Sequence, residues 1–245
     1  MSKIIIANWK MELNLKQSLK LLKEYKKILK LKKRNYSYIV CPDFLSLAYL
    51  AAKQESSRVF PFYLGAQTLG HQNFGALTGE VSPLNLKRIG VNFSLVGHSE
   101  RRYMGEKASL LKEKILSALK VNIIPVLCLG EEKKLSQKKL ENYIDKEIKD
   151  IFSELSKSQI RQIIIAYEPV WAIGSNNPCS PKKASQVHSI IKEKINNKFG
   201  HLPKVLYGGS INGENAKDYL NYNNIDGLLV GGASLNANKF KKIIN

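Results

Sequence analysis

The sequence is poor in cysteine, in histidine and in acid. Its three cysteines, Cys41, Cys128 and Cys179, are an odd number without metal-ligand spacing, so neither a disulfide framework nor a thiolate metal site is expected, which suits a reducing cytosol. No window approaches the roughly 18 uninterrupted apolar residues of a membrane span. The opening Met1 to Lys10 is too short and too quickly polar for a signal peptide, so a cytoplasmic protein without a membrane partner is the expectation. No linker or shift in composition divides the chain, and a single domain over residues 1–245 is expected. Acids number 20 against 39 Lys and Arg, a net charge of +19. Such an excess invites a nucleic-acid reading. The lysines, however, are scattered through amphipathic stretches such as Lys16 to Lys33 and Lys133 to Lys149. No basic run is interleaved with exposed aromatics and no nucleic-acid motif is present, so no nucleic-acid partner is expected. The positive field would help collect small anions.

What the chain does have is apolar content and a regular alternation. At 44% hydrophobic residues over 245 positions it can bury a large core. Short apolar runs read as strands at Ile4 to Ala7, Tyr38 to Cys41, Val59 to Leu64, Val91 to Val96, Ile123 to Leu129, Ile163 to Tyr167, Val205 to Tyr207 and Gly227 to Val230. Helical spacing follows them at Leu15 to Leu31, Leu45 to Lys53, Pro83 to Ile89, Leu110 to Leu119, Leu135 to Leu155, Ser185 to Phe199, Asn215 to Tyr222 and Asn238 to Ile244. Strand then helix, repeated at intervals of about thirty residues, predicts a parallel sheet in the α/β class. At this length a closed (β/α)8 TIM barrel fits better than an open doubly wound sheet, the alternative architecture.

In a parallel barrel every strand delivers its C-terminal end to one face. The strand ends here supply Asn8 and Lys10, His98, Glu168, and the glycine pairs 208–209 and 231–232. Taken singly, each has an ordinary structural reading: a solvated lysine, a packed histidine, a capping glutamate, a turn. Together they offer a base, a hydrogen-bonding imidazole, a fixed cation and two backbone anion sites. After Glu168, Pro169 ends the strand, and Val170, Trp171, Ala172 and Ile173 form an apolar loop. Such a loop next to a strand-end acid suggests a base that is covered when it works.

Five segments carry a resemblance over Ile4 to Leu235: Asn-Trp-Lys at 8–10, Gly-His-Ser-Glu-Arg-Arg at 97–102, Ala-Tyr-Glu-Pro-Val-Trp-Ala-Ile-Gly at 166–174, Tyr-Gly-Gly-Ser at 207–210 and Leu-Val-Gly-Gly-Ala-Ser-Leu at 229–235. In order and spacing they resemble the triosephosphate isomerase family, whose acid–base chemistry is a worked case in general treatments of tuned pKa values. The resemblance implies interconversion of dihydroxyacetone phosphate and D-glyceraldehyde 3-phosphate through an enediol(ate), without a cofactor or metal. It implies Glu168 as base, His98 as neutral electrophile, Lys10 and Asn8 as stabilisers of the enediolate, and Glu100 as organiser of Lys10. For Glu100 a plain helix-start carboxylate remains the alternative. It places Asn8, Trp9 and Lys10 at the substrate, with phosphate on the N–H groups of Gly174, Ser210, Gly231 and Gly232. The lid would run Pro169, Val170, Trp171, Ala172, Ile173, Gly174, Ser175, Asn176, Asn177, Pro178 and Cys179.

The resemblance further implies a homodimer, its interface including Met11, Gln67, Gly75, Thr78 and Glu80. The loop Gly65 to Gly79 is long for one inside a compact domain unless it has a task. Two departures stand out. Ser175-Asn176-Asn177-Pro178 replaces the family's Gly-containing second hinge, which should stiffen it, and Thr68 follows Gln67 where Asn is usual. A different phosphosugar barrel, such as an epimerase, and a non-enzymatic scaffold are the rival readings.

Overall fold

A computed structural model describes residues 3–30, 36–55, 61–174 and 177–245. Its strands are β1 (Lys3–Asn8), β2 (Tyr36–Cys41), β3 (Tyr63–Ala66), β4 (Phe93–Val96), β5 (Ile124–Leu129), β6 (Ile164–Tyr167), β7 (Val205–Tyr207) and β8 (Gly227–Val230). They pair in sequence order, all parallel, and β8 closes onto β1 with Ile5 opposite Leu228. The closed (β/α)8 barrel expected from the alternation is therefore the fold, and the open sheet is excluded.

Side chains alternate across the barrel wall, as the two-residue strand period requires. Ile4 and Ile6 of β1 point inward with Ile39, Leu95, Val126, Ile164, Leu206 and Leu229 to fill the barrel. Ile5 and Ala7 point outward into the layer shared with the helices. Those strands read as continuous apolar runs because both of their faces are buried.

The helices are α1 (Leu15–Lys30), α2 (Phe44–Glu55), α3 (Pro83–Arg88), α4 (Ser99–Tyr103), α5 (Ala108–Lys120), α6 (Gln137–Phe152), α7 (Lys157–Ile160), α8 (Pro181–Phe199), α9 (Ala216–Leu220) and α10 (Ala237–Ile243). In α1 the buried set Ser18, Leu21, Leu22, Tyr25 and Leu29 follows the helical period, leaving the lysines outside. The start of α8 combines a Ser180 cap, its oxygen accepting from the Lys183 N–H, with Pro181 at the first helical position. Among the described residues no helix is long and apolar enough to cross a membrane.

Three local expectations shift. The third strand is seen at Tyr63–Ala66, so Gly65 lies in the sheet and not in the following loop; Val59 and Phe60 of the expected stretch lie outside the described residues, as does Leu31 of the first helix. The short helices α4 and α7 had no periodic signature, since five and four residues are too few to show one. The loop expected from Gly65 therefore begins two residues later, at Gln67, because β3 runs on through Ala66.

Candidate active site

Glu168 follows β6 directly and is 2% exposed. Its Oε2 accepts from the Ser99 N–H at 3.2 Å, at the first residue of α4. Its Oε1 lies 3.2 Å from His98 Nε2 but makes no hydrogen bond. Burial raises the carboxyl above its ordinary value, opposed by His98, by the Ser99 N–H, by Lys10 and by Cys128. A buried carboxylate with one unsatisfied oxygen is suited to taking up a proton. The site accommodates it because position 208 has no side chain: a Cβ there would meet Glu168 Cγ at 2.8 Å.

His98 is buried and caps α4. Its Nδ1 accepts from the Glu100 N–H at 3.3 Å, which leaves that nitrogen unprotonated and puts the single proton of a neutral ring on Nε2, facing Glu168. Glu100 turns its carboxylate outward to Lys10, whose Nζ is 2.5 Å from Oε1. Lys10 itself takes φ +50°, the left-handed region that costs an L-residue energy. Its backbone is tied on both sides: its N–H donates to Asn8 Oδ1 at 3.1 Å, and its carbonyl accepts from Gln67 Nε2 at 2.8 Å. Gln67, expected at the dimer interface, also donates to the Cys41 carbonyl at 3.0 Å within the same chain.

Glu168, His98, Lys10 and Asn8 open onto one cavity of about 270 Å³, with Gly174, Ser210, Gly231 and Gly232 around its rim. Gly231 and Gly232 begin a 3₁₀ turn (Gly232–Leu235) just beyond β8. Gly174 takes φ +63°, which a glycine adopts without strain. Trp9 is not with them. Its indole is buried beneath the barrel wall and meets the Tyr25 ring edge to face at 5.7 Å, because the strand's alternation turns it outward to the helices. Cys128 is fully buried, its thiol pushed well above the usual range by desolvation. Among the described residues no group of three or more His, Cys, Asp or Glu could hold a metal ion.

The family model described as triosephosphate isomerase matches residues 3–245. The chain belongs to the triosephosphate isomerase family. Proteins named triosephosphate isomerase from Dictyoglomus turgidum and Clostridium tetani are 38% and 36% identical to it, over 99% of this chain and 98% and 95% of theirs. That of Aquifex aeolicus is 37% identical over 100% of this chain and 99% of its own length.

The triosephosphate isomerase family resemblance read from the five motifs thus extends along the chain. Of the expected lid, Ile173 and Gly174 line the cavity, and a 3₁₀ turn at Val170–Ala172 precedes them. Ser175 and Asn176, the first half of the altered hinge, lie outside the described residues. Sequence reasoning missed Glu131, which is 3% exposed and accepts from the Trp171 indole N–H at 2.7 Å and the Tyr167 hydroxyl at 3.1 Å. Its only sequence signal was a carboxylate at the end of the fifth strand, beside the lid in space and far from it in the chain. Met11 and Phe74, at 92% and 83% exposure, leave large apolar side chains in water.

Proposed function

We propose that this chain is a cofactor-independent isomerase that interconverts dihydroxyacetone phosphate and D-glyceraldehyde 3-phosphate, serving glycolysis and gluconeogenesis in the cytoplasm. The observation that carries the reading is the buried pair of Glu168 and His98, 3.2 Å apart on the face that also holds Lys10. Removing a C–H proton beside a carbonyl needs a base and a polarised oxygen at once. Glu168 takes the proton from one carbon and returns it to the next. His98 donates from Nε2 to the substrate oxygens and moves protons between them. Lys10 and Asn8 stabilise the developing oxyanion, with Glu100 holding the Lys10 ammonium in place.

The non-reacting phosphate sits on backbone N–H groups of Gly174, Ser210, Gly231 and Gly232. The Ser210 N–H is donated to the Ala172 carbonyl at 3.2 Å in this structure, so phosphate capture and lid movement are linked: the bond to Ala172 must be surrendered. Gripping the phosphate supplies binding energy for closure, and closure keeps the enediolate from expelling phosphate into water.

The working molecule is a homodimer. Met11, Phe74, Gly75, Thr78 and Glu80 are all exposed, and the reading gives them a partner: the tip of loop 67–80 seats beside Asn8 and Lys10 of the second copy. A coupled assay from D-glyceraldehyde 3-phosphate tests the function. Wild type should turn over, and Glu168→Asp, which withdraws the carboxylate by one carbon, should lose about 10²-fold in kcat. An inactive, well-folded dimer would defeat it. The Glu168, His98 and Lys10 set speaks against an epimerase, which needs different acids or a metal.

A further inference from the structure

The start of the lid is gripped from two sides. On one side the Ala172 carbonyl accepts from the Ser210 N–H at 3.2 Å and from Ser210 Oγ at 2.6 Å. On the other, the connection from β5 to α6 reaches over. The Glu131 carbonyl accepts from the Val170 N–H at 3.0 Å, and its carboxylate takes the Trp171 indole N–H at 2.7 Å. Three residues on, the Lys134 ammonium stands 4.6 Å from the centre of the Trp171 ring. We propose that Lys134 is a positioning residue: it clamps the face of Trp171 while Glu131 holds the edge, and so sets how much of the time the lid stays docked away from the substrate.

The geometry assigns the two contacts different tasks. One hydrogen bond holds the indole edge, and the half-buried ring packs against the core. The ammonium on its face adds an attraction that exists only in this orientation of the ring. Trp171 rides on the lid, whereas Lys134 belongs to a neighbouring loop with no part in the chemistry. Their attraction therefore belongs to the docked position and biases a two-position element toward it. Lys134 is exposed, and a cation–ring contact in water shifts an equilibrium about two- to fivefold.

The sign of the effect separates this role from general electrostatics. Removing a surface cation by itself weakens binding of a phosphate dianion. Removing a clamp on the docked lid frees the lid to close and tightens that binding. The inference rests on reading residues 169–179 as the lid of the proposed isomerase. The test uses Lys134→Ala, Lys134→Arg and, as a charge control, Lys133→Ala, with 2-phosphoglycolate as a carboxylate–phosphate mimic of the enediolate. Lys134→Ala should bind it about two- to fivefold more tightly and lower KM in the same direction. Lys134→Arg should restore wild-type values, and Lys133→Ala should bind it slightly more weakly.

Acrylamide quenching of the ligand-free proteins gives a readout without turnover. The chain has two tryptophans, and Trp9 is 1% exposed, so added quenching in Lys134→Ala reports Trp171. Weaker or unchanged binding in Lys134→Ala, matching Lys133→Ala, overturns the proposal, as does unchanged quenching. A wild-type protein without isomerase activity would defeat the functional reading alone, leaving the quenching comparison to judge the clamp.

Discussion

At the scale of single residues, Glu168 is the most informative group, because its environment pulls in both directions. Burial disfavours its charge, while His98, the Ser99 N–H, Lys10 and Cys128 favour it, and burial prevails. Two consequences follow from that one direction. A base works only when ionised, so kcat/KM should fall with acid through a value above the ordinary 4.5 of a glutamate; initial rates from pH 4 to 9 at low substrate will show it. Stability carries the opposite sign. A carboxyl whose value is raised on folding binds its proton better in the native state, so stability falls as the pH rises from the unfolded value toward the folded one, and the full cost is present above the folded value. Glu168→Gln should therefore melt higher than wild type near pH 8. That advantage should shrink as the pH falls and vanish below 4.5, where both states of the wild type become protonated. Thermal unfolding at the two pH values decides it. Glu168 itself stood out in the sequence, as an acid trapped between an apolar strand and a proline. The direction of its shift was not legible there, since it is the balance of burial against groups 69 to 158 positions away in the chain, Ser99, His98 and Lys10.

At the scale of elements, the segment proposed as the lid carries Asn177-Pro178 at the second hinge, where the resemblance implies a glycine-containing one. Pro178 fixes its own φ and restricts Asn177, so the hinge loses conformational freedom in every lid position. The next residue is well anchored: Cys179 is buried and its carbonyl accepts from the Tyr219 hydroxyl. On the near side Gly174, at φ +63°, is the permissive joint. Pro178→Ala should change the closing equilibrium about two- to fivefold, the usual worth of a proline's restriction. The partition between isomerised product and released inorganic phosphate, measured alongside kcat, will register that change; identical values for both would remove the hinge from consideration. Short elements were the least legible. Helix α4 positions both Ser99 and Glu100, yet five residues carry no period; what announces it is the His98 cap, and a capping histidine is recognisable only when its Nδ1 is seen to face the Glu100 N–H.

At the scale of the whole molecule, two of the large apolar side chains left in water, Met11 and Phe74, lie on the segments with which the chain is proposed to meet its copy, and both are more than four-fifths exposed. Thr78→Arg, a bulky charge at the loop tip, should shift the protein to monomer in sedimentation velocity. It should also lower kcat about 10²-fold by loosening the neighbour's Asn8 and Lys10. Full activity in a monomer would break the proposed link between assembly and catalysis.

The sequence by itself determined the architecture, because eight doubly buried apolar runs alternating with helical spacing leave few ways to bury all of them other than a closed parallel barrel. It also determined that Asn8, Lys10, His98 and Glu168 share a face, since strand ends in such a barrel point one way. Only the tertiary structure decided what lies across the wall from what. It turned Trp9 into the helix layer and set Gln67 under the backbone of Lys10. It brought Glu131 and Lys134 onto Trp171. Those contacts join residues 16 to 57 positions apart through packing, and local periodicity carries no record of which distant side chains packing will bring together.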